Sequence, residues 1–180
     1  MRRHQILTFL CAIMMLTMFA PHARGQAQKD PLNDDEVDQV RELGDRPNER
    51  LKLYAKFIEQ RITVIKQLST EKTAENRSAL LRAKIEEFTR LADELQDNLD
   101  TYDQEHADIR KALKELVPQS EKWQPVLNQP GPDPGYDFVR KTAVEAAKSV
   151  SDQTKELQKD QEKYFAEHKD QAGKNGTGPQ

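Results

Sequence analysis

At 180 residues the chain suits one domain. It is 36% hydrophobic and 33% charged, a balance that, joined to helical periodicity, points to long helices or coiled coil. Seven glycines and almost no strand-favouring clusters argue against an all-β or α/β fold, and a net charge of −3 gives no overall attraction to nucleic acid or anionic lipid.

Arg2 and Arg3 precede the apolar run 6–20 (ILTFLCAIMMLTMFA), and Ala23 and Gly25 are small residues placed just before Gln26. This pattern predicts a removable signal peptide over residues 1–25. The run is shorter than the roughly 20 apolar residues of a spanning helix, so an uncleaved anchor is the lesser reading. Cys11 lacks the small preceding residues of a lipidation site. Cleavage would remove Cys11, the only cysteine, and all 4 methionines. With Arg2, Arg3 and Arg24 also gone, the formal charge falls from −3 to −6. A chain so processed has no disulfide to rely on and is held by packing alone.

Residues 26–33 are polar, carry Pro31 and read as a flexible leader. The helical bundle domain is expected over 34–170. Asn33, Asp34, Asp35 and Glu36 suit a helix N-terminus, giving a short helix to about Leu43. Pro47 suits the first turn of the next helix, which runs to about Leu68. Leu51, Tyr54, Phe57, Ile58, Ile62, Val64, Ile65 and Leu68 form its apolar face.

After a polar turn, the spacing predicts one long central helix over about 74–117. Leu81, Ile85, Phe88, Ala92, Leu95, Leu99, Tyr102, His106, Ile109, Leu113 and Leu116 alternate by four and three, a heptad seam of about five repeats. Such a rod would be about 65 Å long. Pro118 is expected to end it and to open a proline-rich loop over 118–135. A last helix over about 136–169 carries the seam Val139, Ala143, Ala147, Val150, Thr154, Leu157, Gln161, Tyr164 and His168. Residues 171–180 read as a disordered tail. The fold class is therefore all-α: an elongated antiparallel helical bundle or coiled-coil hairpin with one long central helix. Arg50, Lys52 and Lys56, and from the other side Lys148 and Lys155, are expected opposite the acidic stretch 93–108.

No Gly-x-Ser-x-Gly elbow, phosphate-cradling loop or His-Glu-x-x-His pair occurs. A di-metal bundle needs Glu three residues before each ligating His; Asp103 and Phe165 stand there instead. The chain is accordingly read as non-enzymatic, without cofactor, metal or small-molecule ligand. His106, on the apolar seam beside Asp103 and Glu105, is read as a register-fixing polar residue or a pH-responsive joint. Trp123, between Pro118 and Pro125, is read as an anchor for the proline-rich loop or as a partner contact. Basic residues alternate with acids, which argues against nucleic-acid binding. Two sequons, beginning at Asn76 and Asn175, matter only in a eukaryotic secretory route.

In general terms the signal, long hairpin and charged surface resemble extracytoplasmic helical chaperones and envelope adaptors, though no motif carries residues across. The expectation is an exported, periplasmic or secreted scaffold or protein-interaction protein, with no stable membrane insertion after signal removal. The alternative is a chaperone-like holdase for unfolded envelope proteins. Thr154, Gln161 and His168 weaken the last seam, which suggests apolar surface left for self-association or a protein partner.

Overall fold

A computed structural model describes residues 30–174; the signal-peptide segment, the start of the leader and the end of the tail lie outside them. Among the described residues all regular structure is helical. We label the helices α1 (Asp34–Glu42), α2 (Pro47–Thr70), α3 (Arg77–Gln104), α4 (Arg110–Ser120), α5 (Trp123–Leu127) and α6 (Asp137–Glu167). None is long and apolar enough to cross a membrane.

Local chemistry explains most of the boundaries. Asn33 and Glu36 form a reciprocal capping box at the start of α1, each side chain accepting from the other's backbone N–H at 3.0 Å. Pro47 occupies the first turn of α2, where its missing N–H costs nothing. Asn76 turns the chain into α3 with φ +52°. Arg77 then donates to the Leu68 carbonyl at 2.5 Å, serving an orphan acceptor at the end of α2.

Directions follow from cross-helix bonds. Arg61 of α2 meets Glu87 of α3, so α2 and α3 are antiparallel. Asn48, at the foot of α2, binds the start of α4, whereas Trp123 of α5 binds Glu59 further along α2. α4 and α5 therefore run alongside α2. Gln96 pairs with Ser149, and Asp100 with Gln153, so α6 descends beside α3. Four helical layers surround one core, with α3 and α4 on one diagonal and α2 and α6 on the other. α1 lies outside against α2.

The expected seam residues of α2 and α3 are nearly all buried, joined by Leu91. Val64 is only partly buried. The long central helix, however, is two helices. The chain breaks at 105–109 and folds back, so Leu113 and Leu116 enter the core from the diagonal corner instead of extending a rod.

The proline-rich loop is also shorter than expected. Pro118 lies inside α4, on its exposed side, where Lys114, four residues earlier and also exposed, can leave its carbonyl to water. Pro125 falls within the first turn of α5. Only 128–136 remains a connection. It is held by Tyr136, whose hydroxyl donates to the Gly131 carbonyl at 2.7 Å, and by Asp133, which accepts from Ser78 at 3.1 Å. At Gly135 an added Cβ would come within 2.3 Å of the Ser78 hydroxyl, which would have to swing aside and give up its bond to Asp133.

The leader and tail show further departures where they are described. Pro31 is buried, and its carbonyl accepts from Arg61 at 2.7 Å. Residues 171–174 turn back over the break, where Gly173 N–H donates to Asp108 at 2.7 Å and Asp108 N–H donates to the Lys174 carbonyl at 3.0 Å.

Candidate functional site

The break between α3 and α4 organises the most elaborate polar cluster in the described chain. Its backbone is a Schellman turn. His106 N–H donates to the Asp103 carbonyl at 3.0 Å, and Ala107 N–H donates to the Tyr102 carbonyl at 2.9 Å. Glycine usually holds the left-handed position of this motif; here it is His106, with φ +52°. A non-glycine residue there costs about 1–2 kcal/mol. Tyr102 and Ala107 are both buried, which supplies the motif's apolar contact.

Side chains from two other helices complete the turn. Gln161 of α6 donates to the Ala107 carbonyl at 2.9 Å and accepts from Ile109 N–H at 3.0 Å. Asn48 of α2 donates to the Asp108 carbonyl at 2.7 Å and accepts from Ala112 N–H at 2.9 Å. Each amide thus satisfies one donor and one acceptor that the interrupted helix leaves open. Asp108 chelates Arg110, with the closest approach 2.7 Å. That guanidinium, aided by the Gly173 and Arg110 N–H groups, holds the Asp108 carboxyl below the usual range despite burial.

His106 is consequently not a seam residue: the turn rotates it outward, and it is exposed, while Ala107 and Ile109 take the interior. Its ring stacks on Tyr164 at 4.7 Å and 13°, and His168 stacks on the same tyrosine at 4.2 Å and 18°. Two rings so nearly parallel and so close must occupy opposite faces of Tyr164. The Tyr164 hydroxyl donates to Gln171 at 2.8 Å. Phe165, not Tyr164 or His168, is the buried residue of this turn. The reason is helical drift, since at 3.6 residues per turn a 3.5-residue seam slips, and 157, 161 and 165 now share the inner face. Arg110 lies over the Phe165 ring at 4.7 Å.

Beside the stack is an open cleft of about 320 Å³ lined by Asp103, His106, Asp160, Gln161, Lys163, Tyr164 and Glu167. Burial pushes the Asp103 carboxyl up, with Asp160 and Asp100 adding to the shift and His106 and Gln161 opposing it. Three carboxylates and the stacked rings of His106 and Tyr164 edge this cleft against one lysine. Such a lining accepts hydrogen bonds and favours a cationic group through its carboxylates. Among the described residues, no three His, Cys, Asp or Glu side chains come together so as to hold a metal ion.

Trp123 is far from this cleft and fully buried. Its indole N–H donates to Glu59 at 2.6 Å, and its ring meets Phe88 edge-on at 5.9 Å. It joins α5 to the centres of α2 and α3 and presents nothing to a partner.

The expected charge pairing is only partly realised. Arg50 lies near Tyr54 and Glu94, but Lys52 pairs with Glu115 at 2.6 Å, Lys155 with Glu121 at 2.8 Å and Lys148 with Asp152. α6 meets the acidic stretch with Ser149 and Gln153 instead. Sequence reading passed over Arg61, buried among Glu36, Glu87 and the Pro31 carbonyl. A single basic residue within the apolar run Phe57, Ile58, Ile62 was the available signal. Asn48 gave none, because its partners are 60 and 64 residues away; Asp108 and Tyr164 have near partners in Arg110 and His168, but the turn is what brings Gly173 and His106 to them.

Compared with family models, curated proteins and solved structures, the chain matches none.

Proposed function

We propose that this is an exported, non-catalytic helical scaffold or protein-interaction protein of the cell envelope or extracellular space. The observation that carries the proposal is the contrast between interior and end. Buried polar side chains such as Arg61, Thr154, Gln161 and Trp123 are bonded within the bundle, whereas the Asp103, Asp160 and Glu167 carboxylates border an open cleft. A basic segment of a protein partner matches that cleft in charge. The elongated hairpin expected from the seam remains a proposal for the molecule in its assembled state.

A photocrosslinking residue at Lys163, introduced in the native host, tests this reading. One protein partner should be captured, and capture should fall at least about tenfold in a variant carrying Asp103→Asn, Asp160→Asn and Glu167→Gln. Undiminished capture, or an enzymatic activity lost when His106 and His168 are replaced, would overturn it. The holdase alternative has less support. Among the described residues only Leu80 and Phe138 are large exposed hydrophobics, whereas binding of unfolded clients calls for a broad apolar surface.

A further inference from the structure

The interruption between α3 and α4 is held largely by side chains of neighbouring helices, with Asp108 of the turn itself bonded to Arg110. Positions 105–109 hold neither glycine nor proline. The four–three apolar spacing passes through them without a slip, from Leu99 and Tyr102 to Ile109, Leu113 and Leu116. The residue bent into the left-handed region is His106, at φ +52°, a conformation its side chain disfavours.

A continuous helix would serve the same backbone groups. Ala112 N–H and the Asp108 carbonyl, now bound by Asn48, would pair with each other. Ile109 N–H and the Ala107 carbonyl, now bound by Gln161, would also find intrahelical partners. The folded-back state thus depends on two amides, on the contacts of Asp108 with Arg110, Gly173 and Lys174, and on packing against α2 and α6, opposed by a strained residue.

We infer that 105–109 is a hinge at which α3 and α4 fuse into one helix over 77–120, and that a second copy of this chain then closes the bundle by exchanging α4, α5 and α6. A second copy fits because the apolar packing of α2 on α4 and of α3 on α6 is remade between chains, while the Asn48 and Gln161 bonds to the turn are given up. An unrelated partner would have to reproduce both faces. Short hinges under strain favour such exchange. Two hinges convert per dimer, so backbone preference at position 106 acts twice.

The test uses the full chain with Cys11→Ser, Gln96→Cys and Ser149→Cys, refolded at high protein concentration and then joined with a short bismaleimide. Gln96 Nε2 and Ser149 Oγ lie 2.9 Å apart across α3 and α6, which puts cysteines at these positions within reach of such a linker. In the folded-back chain this crosslink is internal; in the exchanged dimer it joins two chains. The dimer fraction from size exclusion should therefore run as a covalent dimer on a non-reducing gel. His106→Ala and His106→Gly are compared in the same background, since both lose the Tyr164 stack and differ only in backbone preference. The dimerisation constant should be about a thousandfold larger for alanine, which disfavours the left-handed turn and favours helix. Equal constants, a dimer containing only internal crosslinks, or monomer at every concentration would each overturn the inference.

Discussion

Replacing Gln161 with leucine sets two readings of one position against each other. By seam periodicity alone, leucine is the better residue, filling a gap in an apolar stripe. In the folded bundle Gln161 is only 3% exposed, and its amide serves the Ala107 carbonyl and the Ile109 N–H at 2.9 and 3.0 Å. Leucine leaves both groups buried without partners, a penalty of about 1–3 kcal/mol each, offset in part by about 1.5–3 kcal/mol from added apolar burial. We expect a net loss of about 2 kcal/mol, out of a typical total of about 5–15 kcal/mol. Urea unfolding followed by circular dichroism, at sub-micromolar protein to keep the chain monomeric, measures the loss. Amide exchange at Ile109 should quicken with it. A leucine variant as stable as the native chain would refute the reasoning, because it would mean the turn does not need its amide.

Glu36→Gln should loosen α1 selectively and cost about 3 kcal/mol, read as faster amide exchange over 34–42. Burial raises the Glu36 carboxyl, but Arg61 and the Asn33 N–H prevail and hold it below the ordinary range. Its stabilisation is therefore present above the usual carboxylate pKa and lost as pH falls through the lowered value; the variant should lack that acid-side loss in melting temperature. Glu94 has the opposite sign: burial, with Asp30 and Asp97 nearby, raises its carboxyl despite the Tyr54 bond and Arg50. Its charge opposes folding at neutral pH, so Glu94→Gln should raise the melting temperature at pH 7 and give no gain once pH falls below the carboxylate range. Trp123→Phe deletes the donor to Glu59 and should cost about 1–3 kcal/mol in urea unfolding; in the native protein, tryptophan emission should be blue-shifted and resist acrylamide quenching.

Much of the fold was legible because apolar spacing is a local property of the chain. The capping box at Asn33 and Glu36, Pro47 in a first turn, and the buried stripes of α2 and α3 all follow from neighbours within a few residues. Positions decided by distant partners were not legible. His106 sits at a correct seam interval, yet Gln161 and Asn48 stabilise a turn there that sends its ring outward onto Tyr164. Thr154 read as a weakness in the last seam, but it is fully buried with its hydroxyl against Ser120 at 3.3 Å. Charge alone places Lys148 and Lys155 opposite the acidic stretch, but the rotation of α6 gives them Asp152 and Glu121 as partners.

By itself the amino-acid sequence determined that this chain is helical and which faces of its helices are apolar, since both depend on residue type and short-range period. Only the tertiary structure decided that the stretch from Leu81 to Leu116 folds back instead of running straight. Helix continuation and a Schellman turn differ locally by a few hydrogen bonds and one strained residue. The choice between them rests on side chains that reach 105–109 from α2 and α6.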